Sequence, residues 1–377
     1  MANKKFSEFT LKTDSANVDF VVGYDGTDNV RIAPSNLSSG GASDLNGLSD
    51  VLIDGTSNYF VNIPAGLSGN PADNLIIGSN TGTDLTSGTK NVIIGKDAGE
   101  NLLAGTENTM LGVDAGTALT NGSRNTFLGS SAGFFTGNSI VDVVAIGYKA
   151  GTYAAASTAI AIGREAGRNN SGNGRIDVGY RAGYSNSSGS WNLNIGYFAA
   201  YSNTTGAENT VIGTEAGYNN TGGSNTFLGY QAGYNQTTGS NNTVIGHDAE
   251  PSAVDATNEI TLGDANIATL RCQVQTISAL SDSRDKTNVQ PSTYGLDFIN
   301  KLNPVTFDWN MRDGAKVGDK DLGFIAQELQ EVDDESLQLV YANNPDRLEA
   351  SYGRLIPVLV KAIQELKLEL DNCKNCK

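Results

Sequence analysis

A serine and a lysine stand five positions apart in the stretch SDSRDK, as Ser281 and Lys286. A serine oxygen attacks a carbonyl carbon once a base has taken its proton, and a neutral lysine amine can be that base. The amine is neutral near physiological pH only where burial or neighbouring positive charge brings its pKa down from about 10.4. Arg284, inside the same stretch, supplies such charge if it lies close. On a helix, positions five apart stand about 140° from one another, so the pair needs a turn in order to meet. The competing reading is structural: a strand-to-helix turn with Ser281 or Asp282 as N-cap and the charges facing solvent. By spacing alone the structural reading prevails.

Other chemistry-bearing residues are sparse. The cysteines are Cys272, Cys373 and Cys376, too few and too scattered for a disulfide framework. Cys373 and Cys376 have C-x-x-C spacing, but zinc needs further ligands and the single histidine, His247, is far along the chain. A frayed helix tip is the favoured reading, and neither a metal nor a cofactor is expected. Carboxylates such as Glu208 and Glu215 fall in polar turns, where solvation is more usual than glycosidase chemistry. No glycine-rich segment sits between a strand and a helix in the way a nucleotide loop requires. Tyr180, Tyr184, Tyr197, Tyr201, Tyr218, Tyr230 and Tyr234 recur at corners of a repeat. They suit packing between copies, the favoured reading, or stacking on sugars.

The elements that must position these residues are repetitive. The phrases IIGKDAG, MLGVDAG, FLGSSAG, AIGYKAG, AIGREAG, DVGYRAG, NIGYFAA, VIGTEAG, FLGYQAG and VIGHDAE follow one another. Their shared glycines run from Gly95 to Gly246 at steps of 16 to 18 residues, and Gly78 and Gly263 extend the series at its two ends. A period near 17 is too short for two packed helices and suits two short strands and two turns, one coil of a β-solenoid. Triplets such as Thr210–Ile212 read as strands, the Ala-Gly pairs as tight corners, and YNNTGGSN as turn chemistry. Asn91, Asn108, Asn125, Asn209, Asn225 and Asn242 precede the strands and, stacked about 4.8 Å apart, can form amide ladders. One apolar triplet per coil is a thin core, so burial of the Ile-Gly and Ala-Gly faces against two further copies is expected.

The repeats resemble the head of YadA-like trimeric adhesins and similar rolls in phage fibres, over roughly half the chain. The period is longer than that of the adhesin family. The fold class is therefore expected to be mainly β: a trimeric β-solenoid or β-roll, then an α+β C-terminal domain ending in a coiled-coil helix. The divisions are an N-terminal β module at 1–45, a linker or cap at 46–73, the solenoid at 74–267, a neck at 268–280 and the C-terminal domain at 281–377. FTLKTDSANVDFVVGYDGTDNVRIAPSNL holds three expected strands with a turn at Asp25 and Gly26, and Ser35 to Asp44 reads as a flexible linker. The N-terminal module either docks to a larger assembly or merely caps the solenoid. Near the C-terminus, Ile356, Leu359, Ile363, Leu366, Leu370 and Cys373 alternate at three and four positions, the seam of a coiled coil. With fewer than three full heptads, that helix can also pack within its own chain.

The segments TISALSDSRDKTNVQP, GLDFINKLNPVTFDW, DLGFIAQELQEV and YGRLIPVLVKAIQELKLEL occur in that order. Together they closely resemble the auto-cleaving intramolecular chaperone domain at the C-terminus of phage endosialidase tailspikes and tail fibres, a domain also related to one in the myelin regulatory factor. The resemblance covers Ser281 to Lys377. It implies that the domain trimerises, aligns three chains so that the β-structure can fold, and then cuts itself off. The family's serine and lysine fall on Ser281 and Lys286, and its Asp and Arg on Asp282 and Arg284. The scissile bond is implied to lie beside Ser281, with Leu280–Ser281 favoured. The GFIAQE segment, Gly323 to Glu328, matches a core helix start with a structural role. Near-identical coils make a slip of one coil almost isoenergetic, which is the physical reason for a clamp that sets register.

Composition limits the setting. The chain has 377 residues, 45 of them Gly, and a net charge of −16, which disfavours nucleic-acid binding. MANKKFSEF carries two lysines without an apolar core behind them, so no secretory signal is expected, and no run of about 18 apolar residues predicts a membrane span. What the resemblance implies is a viral tail fibre or similar surface fibre, made in a host cytoplasm and located on the virion. Its partners are two further copies, other virion proteins through the N-terminal region, and a host-surface glycan or protein. Any catalysis is a single self-cleavage with no external substrate. A bacterial adhesin is disfavoured without a signal or an anchor barrel, and a glycan-degrading tailspike without an inserted domain that pairs carboxylates.

Overall fold

The structure is a computed structural model. It describes the backbone strands at residues 20–24, 29–32, 51–53 and 59–61, and then residues 72–134, 139–152, 157–267, 269–273, 280–312, 314, 316–334 and 336–375. Strands β1 (Phe20–Tyr24) and β2 (Asn29–Ile32) pair antiparallel, with Phe20 opposite Ile32. They are two of the three strands expected here. The third, the Asp25-Gly26 turn and the 35–44 linker lie outside the described residues. The segment read as linker or cap carries an antiparallel pair, β3 (Val51–Ile53) and β4 (Tyr59–Val61).

Two compact units divide the chain, residues 1–195 and 196–377, with the division inside the repeats. In the first unit β4 runs parallel to β5 (Leu75–Ile77), and the repeats continue as β6 (Val92–Ile94), β7 (Thr109–Leu111), β8 (Thr126–Leu128), β9 (Val144–Ile146), β10 (Ile160–Ile162), β11 (Ile176–Val178) and β12 (Leu193–Ile195). Each pairs parallel and in register with the next, as Ile93 does with Met110 and Met110 with Phe127. This is a β-solenoid, but with one three-residue strand per coil rather than the expected two. The rest of each coil is turn, tied to its neighbours by backbone bonds such as Thr86 N–H to the Leu103 carbonyl at 2.8 Å. A coil of about 17 residues spends most of its length on corners, which leaves room for one strand.

The pleat decides what faces inward. The middle residue of each triplet is buried: Ile76, Ile93, Met110 and Phe127, then Ala145 and Ala161. Leu85, Leu102 and Leu119, from the turns, are buried in the same core. The corner alanines Ala98, Ala115, Ala132, Ala150, Ala166 and Ala182 are fully buried as well. This corrects the expectation that the Ala-Gly face waits for other copies: the corner is tight enough to point its methyl group into the chain's own interior. Outward positions such as Leu111, 47% exposed, keep their apolar surface in solvent.

Stacking imposes a backbone requirement after each strand. Gly95 has φ +137°, and a Cβ there would stand 2.3 Å from the Gly112 carbonyl oxygen, so a side chain is excluded both by conformation and by the next coil. Before β6, β7 and β8 the asparagines form the expected ladder, which gives way to Val143, Ala159 and Arg175 before the next three strands. Asn91, Asn108 and Asn125 are buried, and each donates from its backbone N–H and its Nδ2 to the preceding Asn Oδ1 at 2.9–3.0 Å. Each of these three buried amides thus has a partner, which makes a polar wall tolerable inside the coil.

The second unit begins with β13 (Thr210–Ile212), β14 (Thr226–Leu228), β15 (Thr243–Ile245) and β16 (Ile260–Leu262), again parallel and in register. Val211, Phe227 and Val244 fill its interior against Ala216, Ala232 and Ala249. Here Asn225 and Asn242 each donate a backbone N–H to the preceding Asn Oδ1, at 2.9 and 3.0 Å. Glu259 takes the last ladder position.

The C-terminal region opens with a single 3₁₀ turn, Ser283–Asp285. There follow α1 (Leu296–Ile299), the antiparallel hairpin β17 (Val305–Asn310) and β18 (Val317–Gly323), α2 (Ala326–Val332), the short pair β19 (Val340–Tyr341) and β20 (Glu349–Ala350), and the 21-residue α3 (Leu355–Asn375). Pro357 lies in the first turn of α3, where its missing N–H costs no helical bond. Phe298, Leu329, Leu339, Leu355 and Val358 make one small core. Leu296 N–H donates to Glu365 Oε2 at 2.7 Å and ties α1 to α3.

Candidate functional site

The 3₁₀ turn solves the geometric problem of positions five apart. Asp282 caps it, its Oδ1 accepting the Arg284 backbone N–H at 2.9 Å, and the Lys286 backbone N–H closes it on the Ser283 carbonyl at 3.3 Å. The chain thereby reverses enough for Lys286 Nζ to reach back to Ser281. It donates to Ser281 Oγ at 2.5 Å and to the Ser281 carbonyl at 3.2 Å. The N-cap reading and the nucleophile-base reading are therefore compatible. Asp282 makes the turn, and the turn makes the pair.

Arg284, read from sequence as a cation within the motif, is paired with Asp282. Its guanidinium lies against Asp282, with Nη2 donating to Oδ2 at 2.6 Å and Nε to Oδ1 at 3.0 Å. Those hydrogen bonds hold the Asp282 carboxyl below the usual carboxylate range and raise the guanidinium in turn. The pair is local and exposed, so Arg284 stiffens the turn and its charge is matched by Asp282. Leu280, Ser281 and Lys286 are all exposed. Six residues of the expected neck, 274–279, lie outside the described residues, as does residue 268.

The expected seam of α3 is also on the surface. Ile356, Leu359, Ile363, Leu366 and Leu370 are each between 45% and 65% exposed. The face that packs within the chain is a different one, made by Leu355, Val358 and Ala362. α3 thus answers the alternative of intramolecular packing with one stripe and leaves the heptad stripe uncovered. In GFIAQE, Gly323 closes β18, the Phe324 N–H donates to Tyr352 Oη at 3.1 Å, and α2 begins at Ala326.

Other candidates have structural surroundings. Glu208 accepts from Ser224 at 3.4 Å and Glu215 from Gln231 at 2.6 Å, between coils. His247 stacks on Tyr230 with ring centroids 5.0 Å apart. Tyr201, Tyr218 and Tyr234 stack in turn at 5.1 and 5.2 Å. Cys272 and Cys373 are exposed thiols, and Cys376 lies outside the described residues. Among the described residues no three His, Cys, Asp or Glu side chains group as metal ligands, and no helix is long and apolar enough to cross a membrane.

One buried site escaped the sequence reading. Asp177 occupies the middle of β11, where most coils carry an apolar side chain and the next strand carries Asn194, and both it and Arg175 are buried. Arg175 Nε donates to Asp177 Oδ2 at 3.1 Å, and Asn170 and Asn194 donate to the same carboxylate at 2.9 and 2.8 Å. Burial pushes the Asp177 carboxyl up to about 6, against the pull of Arg175 and the two amides. The signal was legible: IDV stands where the pattern asks for an apolar centre.

Residues 281–338 match the family model described as chaperone of endosialidase. The match begins at Ser281, the serine of the pair. No curated protein and no solved structure matches the chain. The chain thus joins a β-solenoid to a C-terminal domain of the endosialidase-chaperone type.

Proposed function

We propose that this protein is the subunit of a homotrimeric bacteriophage fibre or tailspike-like structure whose C-terminal domain assembles it and then cuts itself away. The N-terminal residues attach to another virion protein, and the solenoid meets the host surface. The observation that carries the reading is the 2.5 Å contact of Lys286 Nζ with Ser281 Oγ at the first residue of the chaperone match. The uncovered α3 seam and the small core of the C-terminal region support assembly, since both leave apolar surface that further copies would bury.

The step is a single turnover in cis. A neutral Lys286 amine takes the proton of Ser281 Oγ, and the oxygen attacks the Leu280 carbonyl carbon. The C–N bond to Ser281 breaks, the amide nitrogen receives the proton from Lys286, and Leu280 is left esterified on Oγ. Water then hydrolyses the ester, giving a Leu280 carboxylate and a free Ser281 amine. A lysine acts as base only where it is shielded from water or set beside unmatched positive charge. Ser281 and Lys286 are exposed in the single chain and Arg284 is matched by Asp282. Assembly supplies the shielding, so cutting follows trimer formation and cannot precede it.

Native mass spectrometry of purified full-length protein tests both parts. The expected result is a trimer of the 280-residue fragment together with the released 97-residue domain, and an intact trimer for Ser281→Ala. A monomeric wild-type protein would overturn the assembly reading, and an uncut wild-type trimer the cleavage reading.

A further inference from the structure

The first unit carries a basic and aromatic stripe on three consecutive coils. The two residues after the strand glycine are Tyr148-Lys149, Arg164-Glu165 and Tyr180-Arg181. Glu165 N–H bonds to the Tyr148 carbonyl at 2.8 Å and Arg181 N–H to the Arg164 carbonyl at 3.0 Å, so these positions stack coil on coil. Arg164 is exposed, and its guanidinium lies between the rings of Tyr148 at 5.5 Å and Tyr180 at 5.8 Å. Arg181 lies against Tyr180 at 5.2 Å and Tyr184 at 5.3 Å.

A buried carboxylate organises the stripe from beneath. Glu165 is 5% exposed and accepts from Arg181 Nε at 2.6 Å and Arg168 Nη1 at 3.3 Å. Lys149, Arg164, Arg168 and Arg181 against Glu165 leave an excess of positive charge on a chain whose net charge is −16. Such local reversal of sign needs a reason, and fixed guanidinium planes beside an exposed ring, Tyr148, and the half-buried Tyr180 are a binding arrangement.

We propose that this stripe binds a linear acidic polysaccharide, with its carboxylates on Arg164 and its sugars against Tyr148, the exposed groups of the stripe. The surface is a ladder stepped at about 4.8 Å, the strand spacing. It suits an extended polymer better than a small molecule, which needs a concave site. Guanidinium groups favour carboxylates through paired hydrogen bonds. A nucleic acid would need a cation for each of many successive phosphates, and the surrounding acidic chain opposes it. The inference deepens the host-surface reading above and rests on it for its biological setting only.

Affinity electrophoresis of full-length Ser281→Ala protein through polygalacturonate, alginate or hyaluronate tests the site apart from cleavage. Retardation by at least one of them is expected, weakening with added salt and falling about tenfold or more in Arg164→Glu. That variant should keep its melting temperature and oligomer mass. No retardation by any of the three polymers, or equal retardation of the variant, would overturn the proposal. So would a change of oligomer mass in Arg164→Glu, which would make the stripe a contact between copies. Equal, Arg164-dependent retention of single-stranded DNA would overturn the ligand class.

Discussion

Lys286 Nζ lies 2.5 Å from Ser281 Oγ across a single 3₁₀ turn, and both residues face solvent in the isolated chain. The distance suits proton transfer. In the self-cleavage proposed above, reactivity depends on what covers the pair. Lys286→Arg should therefore abolish cutting as completely as Lys286→Met, because a guanidinium stays charged under any cover. Intact-mass analysis reads the outcome directly, and fragments from the Lys286→Arg protein would exclude Lys286 as the base.

The seam of α3 yields the test of assembly. Leu359 and Ile363 are exposed, while Val358 is buried in the chain's own core. Replacing Leu359 and Ile363 by Glu should leave a folded C-terminal domain and lower the native mass from three chains to one. Val358→Ala should act on stability instead, by about 1–3 kcal/mol for a buried apolar truncation. If the double Glu variant still sediments as a trimer, the seam is not where the copies meet.

Inside the solenoid, Asp177→Ala should cost about 3–5 kcal/mol, the range for stranding one member of a buried ion pair. It leaves the Arg175 charge without its carboxylate, and Asn170 and Asn194 without an acceptor. Exchanging Arg175 and Asp177 together for apolar residues should recover much of that loss. Thermal melts of the single and double variants decide it. Additive losses would mean that the pair contributes through packing rather than charge.

Glu250 predicts a pH dependence. Burial pushes its carboxyl up to about 7, more than the Asn235 backbone and side-chain bonds can offset. In the unfolded chain the group ionises near its ordinary 4.5. Between those values the unfolded state has lost the proton and the folded state still holds it, so stability falls as pH rises through the window and levels above it. Glu250→Gln should flatten this part of the profile. Equal slopes for the two proteins across pH 4.5 to 7 would refute the assignment.

Gly112 has φ +144°, and a Cβ there would lie 2.5 Å from the Gly129 carbonyl oxygen. Gly112→Ala should cost at least about 1–3 kcal/mol in backbone strain, with the clash in addition. A methyl group on Gly353 would meet nothing within 4 Å, so Gly353→Ala should be near neutral by the same melt. Similar melting of the two variants would refute the close stacking of glycines.

Much of the architecture could be read from residue types. Strand glycines every 16 to 18 residues announce coils, because the backbone after each strand from Gly78 to Gly246 takes a φ between +129° and +144° or packs against the next coil where a side chain has no room. The asparagines announced their ladder, since an amide that both donates and accepts can repeat indefinitely at strand spacing. Ser281 and Lys286 were visible as a pair, and the heptad spacing of α3 as a helix. All of these follow from near-neighbour rules, which act along the chain and leave a period behind.

What the coils enclose was decided elsewhere. Whether Ala98 faces its own interior or a partner depends on how tightly the corner closes, a property of the stacked backbone rather than of Ala-Gly. Which stripe of α3 meets α1 depends on competition between Leu355 and Ile356, equally apolar and adjacent in sequence, and resolved only by the shape of the small core. Arg175 and Asp177, two positions apart, both turn into the interior of one coil, whereas Arg164 came to lie between Tyr148 and Tyr180 because stacking brings residues about one period apart into contact. Residue order alone sets the period, the corners and the groups available for chemistry. Which of those groups are shielded from water, and which charges are matched, follows from the folded chain, because burial and pairing are sums over neighbours distant in sequence.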